Sequence, residues 1–85
     1  MGALLILTDL NEIPRVSQSS VMEIFGLTPA QARLASLLVE GKSLEEIAFY
    51  MNISSGTARN HLKAVFLRTG TRRQAELVSL LSRLL

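Results

Sequence analysis

The chain has no cysteine among its 85 residues, so neither a disulfide nor a thiolate metal site can brace it. A domain of this size buries only part of its surface and holds a small margin of stability. Packing, alone or with a partner subunit, must therefore hold it together. Histidine occurs once, as His61, with no second histidine and no acid nearby, which argues against a bound metal. There is no glycine-rich phosphate loop and no nucleophile paired with a base. Glu45 and Glu46 are adjacent, so on a helix they point in different directions and do not form a carboxylate pair. These absences exclude the usual enzyme classes, and no cofactor is expected. The apolar run Ala3–Leu7 is far too short to span a bilayer and lacks the basic flank and cleavage site of a leader. Met1-Gly2 opens like a myristoylation signal, but Ile6 stands where Ser or Thr is required. The lack of targeting signals fits a cytoplasmic protein. Two prolines, Pro14 and Pro29, leave long stretches free for helix.

Acidic residues are missing from one region in particular. None occurs between Glu46 and Glu76. Net charge is only +2 overall, but residues 1–55 carry three bases against six acids, or −3, and residues 56–85 carry six bases against one acid, or +5. A basic half on a near-neutral chain suggests a surface that faces a polyanion. An ordinary solvated face gives the same count, so charge alone does not decide.

The pattern along the chain predicts an all-α fold after a short N-terminal part. Ala3–Thr8 reads as a strand, either the last strand of a sensor domain, a strand paired with its copy in a second subunit, or an unordered terminus. Asn11–Ser19 reads as a linker. Ser20 is placed to cap a single turn, Val21–Phe25, closed by Gly26. The expected division is residues 1–26 as extended segment, linker and turn, and residues 27–85 as one domain of four helices.

Helix signals then follow closely. Thr28 with Pro29 and Gln31 forms a capping box with proline in the first helical position. Ala30, Leu34, Leu37 and Leu38 make one apolar face, and Gly41 ends the helix. Ser43 and Glu46 form a second capping box ahead of Leu44, Ile47, Ala48 and Met51. Only Asn52-Ile53 then separates this helix from the next cap, Ser54. The following helix runs over about 55–68, with Ala58, Leu62, Val65 and Phe66 inward. Thr69-Gly70 breaks it, and Thr71 is expected to cap a last helix from Arg72 to the end.

Two short helices across a tight turn, plugged by Ile53, make a helix-turn-helix. In such a unit the second helix enters the major groove of duplex DNA, so it needs an apolar inside and donors outside. The outward positions here are Gly56, Arg59, Asn60 and Lys63. Arg or Lys donates to guanine O6 and N7, and Asn pairs with adenine. Gly56 lets the backbone approach the groove wall. Ser54, Ser55 and Thr57 stand at the helix start, where hydroxyls and free N–H groups suit phosphate. Lys42, before the first helix of the pair, is a further phosphate candidate. His61 is expected to pack or act indirectly.

Residues 27–70 resemble the LuxR-type helix-turn-helix family of bacterial transcription regulators. The resemblance rests on Leu27-Thr28-Pro29, Gly41-Lys42-Ser43, Glu46-Ile47-Ala48, Ile53-Ser54 followed by Thr57-Ala58 and His61, and Thr69-Gly70. It implies a four-helix domain whose third helix reads the groove, a phosphate role for Thr57, base-facing roles for Arg59, Asn60 and Lys63, and a last helix that makes a homodimer. The chain departs from that pattern at Gln31 and Arg33, where the family usually has acids, and at Gln74, where it usually has Arg.

The last helix carries a wide apolar arc: Leu77, Leu80, Leu81 and Leu84, overlapped by Val78, Leu81 and Leu85. It is either a two-fold interface or a helix buried deeply in its own core. The interface is the expectation taken, on Val78, Leu81 and Leu85, which would place two reading helices on an inverted repeat. The rival readings are a protein-interaction module of the same fold without DNA binding, and a sigma-factor-like domain that binds promoter DNA while docked on RNA polymerase.

Overall fold

A computed structural model describes residues 18–84. The strand expected over Ala3–Thr8, most of the linker after it, and Leu85 lie outside the described residues. Within them the chain forms α1 Gln18–Phe25, α2 Pro29–Val39, α3 Leu44–Met51, α4 Ser55–Thr69 and α5 Gln74–Ser82. The four helices expected after Leu27 are all present, and the described residues are all-helical. α1 is longer than the single turn expected, and Ser19 and Ser20 are helical. Val21 is only 1% exposed, and Met22 and Phe25 pack on the same core. Burial of that face outweighs the preference of serine for caps and turns.

The helix starts follow local chemistry. The Thr28 hydroxyl accepts the Gln31 N–H at 3.2 Å, and Gln31 Oε1 accepts the Thr28 N–H at 3.0 Å. Ser43 Oγ accepts the Glu46 N–H at 3.1 Å, and Glu46 Oε1 accepts the Ser43 N–H at 2.8 Å. Each box satisfies two donors that a helix start leaves open. The Ser43 backbone N–H, then its hydroxyl, and then the charge of Lys42 hold the Glu46 carboxyl below its ordinary range.

The helix ends repeat one device. Leu27, Lys42, Ile53 and Thr71 each donate their N–H to the carbonyl five residues back, at 2.9, 3.1, 3.0 and 3.1 Å. The residue before each is left-handed: Gly26, Gly41, Asn52 and Gly70, with φ of 69, 93, 56 and 71°. This is the Schellman closure, which reverses the chain within two residues. Asn52 is the one non-glycine in the set, and asparagine is among the few L-residues that adopt this conformation readily.

The start of α5 differs from expectation. Thr71 does not cap it. Its hydroxyl pairs with that of Thr69 at 2.8 Å, and the Thr69 hydroxyl donates to the Val65 carbonyl at 2.7 Å. The helix begins two residues later than expected, at Gln74. Glu76 Oε1 accepts the N–H groups of Arg72 and Arg73 at 3.0 and 3.1 Å.

The core is built on α2, which packs against each of the other four helices. Its buried residues are Ala32, Leu34, Ala35 and Leu38, while Ala30 and Leu37 of the expected face are only half-buried. A helix covered on several sides buries more than one stripe, and here the extra buried positions are alanines. Ile47 and Ala48 of α3 and Ala58, Leu62 and Val65 of α4 complete the inside of the helix pair. Ile53 packs on that core as the expected plug. From α5, Leu77 and Leu81 are fully buried, and Val78 and Leu84 pack on the same core. Leu81 therefore belongs to the interior of its own protomer, which removes it from the expected dimer face. α5 has to close the side of α2 that the helix pair leaves open.

Leu34 is fully buried. Leu34→Ala is expected to cost about 3 kcal/mol, a large part of the roughly 5–15 kcal/mol that small domains hold. Urea unfolding followed by circular dichroism measures this, and a loss under about 1 kcal/mol would mean that α2 is not the packing centre.

Candidate nucleic-acid interface

The site is the outward surface of α3, the tight turn and α4. The left-handed Asn52 and the Ile53 plug bring the end of α3 directly to the cap of α4. On α4, burial of Ala58, Leu62 and Val65 fixes the rotation of the helix. That rotation turns Gly56, Arg59, Asn60 and Lys63 outward, and all four are exposed. Arg59 and Lys63 make no ion pair, and the Asn60 amide makes no hydrogen bond to another described residue. The donors are left for an external acceptor.

The start of α4 divides its hydroxyls into two roles. Ser54 Oγ accepts the Thr57 N–H at 3.0 Å and donates to Thr57 Oγ1 at 2.9 Å. Its one proton is therefore committed, and Ser54 acts as a cap that orients Thr57. Thr57 receives that bond and keeps its own proton for an outside acceptor. Ser55 is exposed and makes no side-chain hydrogen bond to another described residue.

Lys42 is placed differently from the other candidates. Its ammonium lies 5.4 Å from the centre of the Tyr50 ring, so its stem runs along the outer face of α3. His61 is half-buried, without a hydrogen bond to the described residues. Gln31, at a position where the LuxR-type pattern has an acid, serves the α2 cap. Arg33 and Gln74 are exposed, and their side chains make no hydrogen bond or ion pair with another described residue.

Four large apolar residues are exposed: Ile24 of α1, at 59%, and three on the helix pair that the sequence pattern did not single out. Phe49 and Leu67 are each 82% exposed and Tyr50 51%. Phe49 and Tyr50 stand edge to face at 5.9 Å on the outer side of α3. Leu67 lies eleven residues beyond Gly56, which is three helical turns to within about 20°. That spacing was the available signal that it continues the outward stripe of α4. Beside it a shallow groove is lined by Lys63, Phe66, Leu67, Gly70, Thr71 and Arg72.

The comparisons with known proteins agree with this architecture. The model of the family described as bacterial regulatory proteins, luxR family, matches residues 26–81, which is 56 of the 85 residues. The chain belongs to the luxR family. In general terms it is thus a DNA-binding helix-turn-helix transcription regulator. No curated protein and no solved structure gave a significant match. No helix among the described residues is long and apolar enough to cross a membrane. They also contain no group of His, Cys, Asp or Glu that could hold a metal ion.

In this luxR-family chain, Ser54→Ala is expected to lower stability by about 1 kcal/mol through loss of the α4 cap. Ser54→Asp keeps a capping oxygen, so its melting temperature should stay close to the parent, while its added negative charge weakens binding to any duplex. Thermal melts and duplex titrations of both variants check this. Equal DNA affinity for Ser54→Asp and the parent would place the start of α4 away from phosphate.

Proposed function

We propose that the protein binds duplex DNA sequence-specifically, with α4 in the major groove. Arg59, Asn60 and Lys63 read base edges, and Gly56 lets the backbone approach. Thr57, Ser55 and the Ser54 cap that orients Thr57 hold phosphate at the start of α4. One observation carries this reading: a continuous stripe of donors, unpaired among the described residues, is exposed on a segment that holds no acid between Glu46 and Glu76. Each good bidentate base contact contributes about 1–3 kcal/mol of discrimination. Phosphate contacts supply most of the non-specific affinity and make it fall with salt. Lys42 joins them with its ammonium swung off the Tyr50 ring, a contact of about 0.5–1 kcal/mol at an exposed site.

The proposed working form is a homodimer on an inverted repeat. With Leu81 in the core, its α5 face reduces to the half-buried Val78 within the described residues. The exposed Phe49–Tyr50 pair favours a second reading, in which the α3 surface meets a protein such as RNA polymerase while α4 is on DNA.

Fluorescence anisotropy of a labelled duplex, titrated at several salt concentrations, is the first test. The affinity should fall steeply with salt, and an Arg59→Ala/Lys63→Ala variant should bind more weakly with a shallower slope. Asn60→Ala should lose about 1–3 kcal/mol on a selected site and little on a random duplex. A folded protein that binds no duplex at low salt would sink the reading. The dimer has its own measurement: light scattering should give twice the chain mass, and Val78→Glu, in a protein whose melt shows that it folds, should halve it. A parent protein of single-chain mass on a one-to-one half-site would remove the dimer and leave α4 in place.

A further inference from the structure

A shallow groove lies where the end of α4 passes into the turn before α5. Its lining includes the half-buried Phe66 and the 82% exposed Leu67, together with two cations, Lys63 on α4 and Arg72 after Gly70. An exposed leucine flanked by two unpaired bases is poorly matched to water. It is well matched to a polyanion whose charges are separated by apolar rings.

The turn that shapes this groove is rigid. Gly70 is left-handed at φ 71°, and the Thr71 N–H closes onto the Phe66 carbonyl at 3.1 Å. The Thr69 and Thr71 hydroxyls pair at 2.8 Å, tied in turn to the Val65 carbonyl. The next acid along the chain, Glu76, has one carboxylate oxygen turned back on the N–H groups of Arg72 and Arg73. The Arg72 guanidinium makes no ion pair with another described residue and is exposed. The wall of the groove is thus set before any ligand arrives.

Length then decides what the groove meets. From Gly56 to Leu67 is about 16 Å along the α4 axis, while the major groove is about 12 Å wide. A helix whose first turns sit on base edges has reached the groove wall by Leu67. There it faces deoxyribose and phosphate, not bases. Resting on the DNA reading of α4, we propose that this groove is a sugar–phosphate cradle. Leu67 and Phe66 lie against deoxyribose, and Arg72 holds a phosphate of the strand that borders the major groove. Lys63 marks the boundary, where base contact gives way to backbone contact. The site adds affinity without sequence preference, because sugar and phosphate are the same at every step.

The test uses the full chain, a labelled duplex carrying the selected site, and a scrambled duplex of equal length, each titrated over a salt series. Arg72→Ala should weaken binding to both duplexes by the same factor, and the slope of log affinity against log salt should fall by about one. Leu67→Lys should do the reverse, tightening both and raising the slope by about one. Arg83→Ala removes an equal charge from the far end of α5 and should leave the slope unchanged. All three positions are exposed, and a melting curve of each variant checks that it folds. The cradle is overturned if Arg72→Ala and Leu67→Lys keep the parent slope while Arg59→Ala/Lys63→Ala is shallower; the DNA reading of α4 then stands without it. It is also overturned if Arg83→Ala lowers the slope as much as Arg72→Ala, since net charge alone would then be responsible. If the parent protein binds neither duplex, the cradle and the DNA reading fall together.

Discussion

The burial of α2 is the contact on which the other helices depend. α1, α3, α4 and α5 all pack on it, and none of them could be placed without it. Leu34 and Leu38 fill the space between neighbours, while Ala32 and Ala35 let helix backbones come close. In a domain without disulfide or metal, each fully buried leucine contributes about 1.5–3 kcal/mol. A few such side chains therefore decide whether the site exists at all. The rotation of α4 about its own axis follows from this core. Ala58, Leu62 and Val65 have to face α2 and α3, so Arg59, Asn60 and Lys63 have to face away.

The turns convert that packing into a defined shape. Four helices end in the same left-handed closure, and three begin on a Thr or Ser cap. With so few residues between helices, the chain has little freedom to adopt another arrangement. The closure at Asn52 matters most, because it sets α4 against α3 with only Ile53 and the cap between them. The closure at Gly70 carries this order forward into the groove that Arg72 borders. Two rigid turns therefore bracket the outward stripe of α4, one at each end.

Electrostatics act on the surface that results. The acid-free stretch from residue 47 to residue 75 includes the whole of α4 and the turn after it. The acids that flank it, Glu46 and Glu76, each spend a carboxylate oxygen on the backbone N–H groups of a helix start. Both therefore stabilise helix geometry next to a basic surface. Lys42 is the contrasting case: its ammonium stands over the Tyr50 ring and stabilises no helix start.

Much of this was legible in sequence because it is local. Capping boxes at Thr28 and Ser43, the cap at Ser54, and the helix ends at Gly41 and Gly70 are decided by residues within a few positions of one another. The outward stripe at Gly56, Arg59, Asn60 and Lys63 follows from helical period once the buried positions are known. What the sequence could not settle is which of several apolar positions is buried. The wide leucine arc of the last helix allowed an interface or a core, and only the packing of α5 on α2 put Leu81 inside. Thr71 had the chemistry of a cap, but its hydroxyl met Thr69 once the turn was folded, and Glu76 took over the start of α5. Ser19 and Ser20 became helical because Val21 found a place in the core. Short-range hydrogen bonding and periodicity thus determined the helices and the reading face from sequence alone. The choice between buried and exposed depended on contacts between distant residues that exist only when the whole domain is packed.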